Sequence, residues 1–278
     1  MGGCCSRLCK DLRLPFFALE EEPYGTIDLD KSFCLNEHST CFIKFLKLII
    51  FGFVFGFYIH SFVTRPFPYF FMAYLTNWQV LFQVVYLFCS LCTTLFSNAP
   101  QWTVRSAWLM ASLQLVFGLI VTSLFWTTEY NPDYGIDFYT LNSHLTTFVL
   151  CLIETFLINR VPVRLKHTPF VMLWAALFVA WTIIFTVLGI DNPGKPDDVS
   201  QALYVILDWE EKPTMAAIVS VLVVFVGIPL VQLLFWALSL CRRCYVEEEE
   251  SNDIALEQME EGYVQNKDGE DSAENLIS

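Results

Sequence analysis

Thr76, Gln79 and Gln83 stand at i, i+3 and i+7 in an otherwise apolar stretch, which puts them on one face of a helix. In another stretch His144, Thr147, Cys151 and Glu154 fall at offsets of 0, 3, 7 and 10, again a single face. Gly52, Gly56 and His60 follow one another at intervals of four in a third. Polar side chains at membrane depth are costly and mark functional sites by default. A hydroxyl beside an imidazole is the smallest apparatus for nucleophilic catalysis, in which the base takes the proton and the oxygen attacks. Counted at 1.5 Å per residue, Thr76 lies about 9 Å and His144 about 8 Å into their stretches, and His60 lies close to the end of its own. The hydroxyl and one or both imidazoles are expected at one level, with His60, Gln79, Gln83 and Glu154 as substrate-binding or supporting residues, on faces turned into the bundle. Glu154 lies about 15 Å beyond His144, too far to orient the ring, and is expected to pair or hydrogen-bond in the bundle core, or to stay protonated there. A purely structural account stands beside the catalytic one. Threonine in membrane helices bonds its own i−4 carbonyl, and histidine joins neighbouring helices. His60 and His144 lack a third ligand at metal spacing, so no metal or other cofactor is expected.

These residues need helices that cross a bilayer. Of 278 residues, 55% are hydrophobic and only 16% charged, where a soluble domain carries about 25% charged residues. That balance excludes a soluble enzyme, a nucleic-acid binder and a secreted disulfide scaffold. Six blocks approach or exceed the 20 or so apolar residues that a spanning helix needs: residues 45–63, 70–96, 104–126, 139–158, 169–190 and 214–241. The fold class is therefore an all-α membrane protein with six transmembrane helices. The organisation reads as an N-terminal segment over 1–44, a transmembrane domain over 45–241 and a tail over 242–278.

The loops orient the bundle. With the N-terminus in the cytosol, Arg105, then Arg160, Arg164 and Lys166, then Arg242 and Arg243 all fall on the cytosolic side, as the positive-inside rule requires. Both termini are then cytosolic. Gly2 and Ser6 fit the M-G-x-x-x-S myristoylation pattern, and the adjoining Cys4 and Cys5 suit palmitoylation. Cys241 and Cys244 find no second Cys or His pair to complete a zinc site, so juxtamembrane acylation or packing is expected there. From Tyr245 onward the chain carries twelve acidic residues against one lysine, a composition that predicts disorder. The expected partners are membrane lipids, with no nucleic acid, and the expected location is the plasma membrane or an endomembrane.

Four runs carry a family resemblance: YLTNW (Tyr74 to Trp78), LNSHLTTFVLCLIE (Leu141 to Glu154), NRVPVRLKH (Asn159 to His167) and LDW (Leu207 to Trp209). Over roughly residues 45 to 240 the chain resembles the rolling stone-like six-span membrane proteins. More distantly it is similar to the androgen-induced and androgen-dependent membrane hydrolases, which cleave fatty-acid esters of hydroxy fatty acids. That resemblance implies Thr76 as nucleophile and His144 as base, with Glu154 ten residues beyond. It departs at Leu141, where those hydrolases often carry a second histidine, and at Asn77 and Trp78, which follow the rolling stone pattern. Two functions are open: a threonine hydrolase of fatty-acyl esters, and a non-enzymatic protein of membrane adhesion, fusion or scaffolding.

Overall fold

The computed structural model describes residues 41–64, 68–96, 99–159, 161, 163–192 and 202–239. Gly2, Cys4, Cys5, Cys241, Cys244 and the acidic tail lie outside them. The chain divides into a unit that ends at Trp236, which contains the helix bundle, and a second unit that starts at Ala237, of which only the first residues are described.

Six helices are long and apolar enough to cross a membrane: α1 (Cys41–Thr64), α2 (Leu75–Leu95), α3 (Trp102–Glu129), α4 (Phe138–Ile158), α5 (Leu165–Val187) and α6 (Pro213–Ser239). This is the architecture of a multi-pass integral membrane protein, and no strand occurs among the described residues. Burial sorts the helices by position. In the most apolar part of α2 and of α3, 67% of residues are buried, against 22% in α1 and 28% in α5 and α6. Helices α2 and α3 are thus the centre, with the others around them. Phe42, Phe45, Ile49 and Phe53 of α1 and Ile218, Phe225 and Leu230 of α6 turn outward. A rim of exposed aliphatic and aromatic side chains fits hydrocarbon surroundings and would be a liability in water.

Contacts near the helix ends show how neighbours run. Lys47, early in α1, bonds Thr94 at the end of α2, while Tyr58, late in α1, packs edge-on against Phe71 just before α2. The two helices are antiparallel. Phe125, late in α3, stacks on His144, early in α4, and Gln232 of α6 donates to the carbonyl of Arg164 just before α5 at 2.8 Å. One end of the bundle therefore holds Thr76 and His144, and the other Lys47 and Glu154.

Two local features fix the geometry. Gly118 of α3 faces Phe148 of α4 so closely that a Cβ would run into the ring. Only glycine permits that approach. At the end of α5, Gly189 takes φ +60°, while its N–H bonds Thr186 and that of Ile190 bonds Phe185. This is the Schellman ending, for which a left-handed residue is needed.

The second block of the sequence starts later as a helix than its apolar run suggested. Pro68–Ala73 forms a separate 3-10 turn, so Thr76 is the second residue of α2 rather than the seventh. The face of Gly52, Gly56 and His60 also differs from expectation. All three are exposed, and no atom outside α1's own backbone would meet a Cβ at either glycine. The buried face of α1 is instead Lys47, Ile50, Val54, Phe57 and Ser61. Aromatic and branched side chains fill the contact with α2 better than a glycine seam does, so the small residues face outward.

Candidate functional site

The start of α2 is built by its own sequence. The Asn77 amide donates to the carbonyl of Phe71 and the Trp78 indole to that of Met72 at 2.6 Å, so the run after Tyr74 clamps the 3-10 turn before it. The Tyr74 hydroxyl donates to Asn192 Oδ1 at 2.9 Å. Trp209 in turn donates to Thr182 Oγ1 of α5 at 3.0 Å, while Asp208 Oδ1 accepts the N–H groups of Glu210 and Glu211 at 3.2 and 2.9 Å. These bonds hold the segment of Tyr204 over the first turn of α2. There the Tyr204 oxygen accepts the N–H of Leu75 at 2.9 Å and also hydrogen-bonds Thr76. It satisfies donors that a helix start leaves open, and burial raises the phenol pKa.

Thr76 and His144 line one cavity of about 80 Å³. Phe117, Val121, Phe178, Val179, Val224 and Ile228 give it hydrocarbon walls, and Thr76, Glu129, His144, Tyr204 and Ser220 are among its polar lining residues. His144 is partly buried, its ring stacked on Phe125 with centroids 3.5 Å apart and planes 4° from parallel. Glu129 accepts the N–H of Val205 at 3.1 Å, which ties the end of α3 to the covering segment. Ser220 of α6 is 7% exposed, and its hydroxyl meets no hydrogen-bonding group in the described residues.

Two of the cavity's ionisable groups stand on π-helical turns, Glu129 on Phe125–Glu129 and His144 on Asn142–Thr146. A π turn inserts a residue and re-aims the side chains of a helix, and such turns are frequent at functional sites. Ahead of the second, the Asp137 carboxylate accepts the Thr140 N–H at 2.6 Å as the cap of α4. Hydrogen bonds from Thr140, side chain and backbone, hold its pKa below the usual carboxylate range.

Glu154 belongs to a second cluster at the opposite end. It is 1% exposed, its Oε1 lies 3.9 Å from Lys47 Nζ, and Ser90 Oγ donates to the same oxygen at 2.5 Å. Lys47 donates to Thr94 at 2.8 Å and to Ser90 at 3.3 Å, and the Asn159 amide to Ser90 at 3.0 Å and Tyr86 at 3.2 Å. The core partner expected for Glu154 is thus Lys47, 2% exposed. Its signal in the sequence was an ammonium inside the first apolar block.

Of the other expected site residues, Gln79 and Gln83 are buried at 1% and 0% exposure without lining the cavity, and His60 is exposed on α1, away from it. Arg164, expected as a loop charge, is buried with its guanidinium 4.8 Å above the Trp108 ring. His167 Nδ1 lies 2.9 Å from Ser112 Oγ. Among the described residues no group of three His, Cys, Asp or Glu side chains could hold a metal ion. Comparison of the chain with protein-family models, with curated proteins and with solved structures gives no match in any of the three.

Proposed function

We propose that this membrane protein is an intramembrane threonine hydrolase of fatty-acyl esters. The observation that carries the reading is the shared cavity: Thr76 and His144 both line one hydrocarbon-walled space. In the proposed reaction an acyl chain lies among Phe117, Val121, Phe178 and Val224 with its ester beside Thr76 and His144. The Thr76 hydroxyl turns from Tyr204 toward His144, which takes its proton as the oxygen attacks the carbonyl. The imidazolium returns the proton to the leaving alcohol. The acyl-threonine so formed is then hydrolysed by water, His144 again acting as base. The N–H groups of Leu75 and Thr76, now facing Tyr204, suit the developing oxyanion once the phenol moves aside.

The resemblance of Thr76, His144 and Glu154 to the motif residues of the androgen-induced hydrolases supports the same pair. The Lys/Arg bias of the loops supports cytosolic termini, with the Thr76 end of the bundle at the opposite face. The sequence pattern at Gly2, Cys4 and Cys5 supports acylation of the N-terminal segment.

The test is hydrolysis of fatty-acyl esters by the purified protein in detergent. Thr76→Ala and His144→Ala each abolish it, because nucleophile and base act as one unit, and Thr76→Ser retains part. Turnover indifferent to both alanine changes, or absent on every lipid ester, sends the protein back to adhesion or scaffolding.

A further inference from the structure

Helix α2 carries more than the start of a site. Thr76, Gln79, Gln83, Tyr86, Ser90 and Thr94 follow at steps of three or four, and every one is buried, none more than 6% exposed. From Thr76 to Thr94 the stripe measures about 27 Å at 1.5 Å per residue, close to the roughly 30 Å of a bilayer's hydrocarbon. On α4 Thr147, Cys151 and Glu154 form a second buried row, with His144 on the π turn before them. The two converge at both ends, where Thr76 and His144 share the cavity and Ser90 bonds Glu154.

Between those ends the stripes hold polar atoms that no group among the described residues satisfies. Both amide atoms of Gln79, both of Gln83 and the hydroxyl of Thr147 are buried without a hydrogen-bond partner. Buried polar groups are almost always satisfied by protein or by water, and a buried water takes two to four polar partners. Two amides one turn apart and a threonine supply them. We infer that a file of water molecules runs along α2 from the cavity to the Lys47–Glu154 cluster, and that the protein conducts protons along it.

The transfer needs no further reagent. A proton enters at the cavity end, near His144, O–H bonds are made and broken from one water to the next, and another proton leaves beside Glu154. One elementary charge crosses for each proton. The other titratable groups along the way are Tyr86 and Cys151, with Lys47 holding Glu154 at the far end. The inference is independent of the hydrolase reading, since neither amide is assigned to that chemistry.

The experiment uses the full chain in liposomes loaded with a pH-sensitive dye, with a potassium diffusion potential to drive protons inward. Wild-type vesicles acidify faster than protein-free ones. Gln83→Leu replaces a bridging-water site by hydrocarbon and lowers the protein-dependent rate about tenfold, whereas Gln83→Asn keeps an amide and most of the flux. Hydroxyl-radical labelling supplies the second reading: Tyr86, 0% exposed, is oxidised in the wild type because water adjoins it, and is protected in Gln83→Leu. Should that variant fail to fold, Thr147→Val carries the same two expectations. Flux no faster than in protein-free vesicles overturns the inference. So does flux unchanged by the leucine substitution, or a Tyr86 that resists labelling in the wild type.

Discussion

Individual side chains here owe their settings to different forces. The Lys47–Glu154 pair shows the strongest dependence, since both groups are withdrawn from solvent and Ser90, Thr94 and Asn159 complete their bonding. Removing one member of a buried pair strands the other charge and costs about 3–5 kcal/mol. Lys47→Met is therefore expected to lower the thermal stability of the detergent-solubilised protein sharply. Lys47→Met with Glu154→Leu, which removes both charges, recovers most of that loss. A double variant no more stable than the single one would mean that the charges are not coupled.

Asp137 acts more weakly, through its cap on Thr140. Its folded pKa lies below the ordinary value, so its contribution is present above the unfolded pKa of about 3.9 and is lost as pH falls through the lower folded value. Asp137→Ala should be less stable than the wild type at neutral pH. The two should converge in acid, which melting curves between neutral and acidic pH can follow.

At the scale of elements, the site depends on how closely α3 approaches α4. Gly118 sets that distance by letting the Phe148 ring lie where a Cβ would otherwise be. Gly118→Ala forces the ring or the helix to shift and is expected to cost about 1–3 kcal/mol, as overpacking does. The same displacement moves Phe125 relative to His144, so ester hydrolysis should fall along with stability. Phe148→Leu in the alanine background makes room and should restore both. If melting temperature and activity are unchanged in the single variant, the contact is not what positions the histidine. The four motif runs read differently once their bonds are known. Asn77 and Trp78 clamp the turn before α2, Asn159 joins the Glu154 cluster, and Trp209 anchors the segment of Tyr204. These four positions therefore build the scaffold around the cavity that Thr76 and His144 line.

For the molecule as a whole, six apolar helices hold the chain in lipid whatever happens at its ends. If Gly2 is acylated as proposed, Gly2→Ala is expected to redistribute the protein among membranes without releasing it, because an acyl chain would add only sorting and the posture of the N-terminal segment. Fractionation of cells expressing the variant checks this, and appearance in the soluble fraction would contradict it. A glycosylation acceptor engineered near Asn131, between α3 and α4, should be used if that loop is lumenal or extracellular. An acceptor that stays unmodified there while one placed in the tail is glycosylated reverses the orientation.

Legibility followed the range of the forces involved. Six spans could be counted in the sequence because a bilayer demands long unbroken apolar runs, and composition along the chain records that demand directly. The stripe of Thr76, Gln79 and Gln83 was likewise legible, since helical periodicity alone places three residues on one face. What lines that face was not. Tyr204, Glu129 and Ser220 reach the cavity from three separate segments, and no spacing in the sequence relates them to Thr76. Helical periodicity also fails at π turns, where an inserted residue rotates all later side chains of the helix. Those at Phe125–Glu129 and Asn142–Thr146 aim Glu129 and His144. Lys47 found Glu154 across 107 residues, and His60 turned outward because α1 packs through its larger side chains instead of its glycines. Local periodicity determined which residues form each face; packing between helices, which depends on the volumes of side chains far apart in the chain, decided which faces meet.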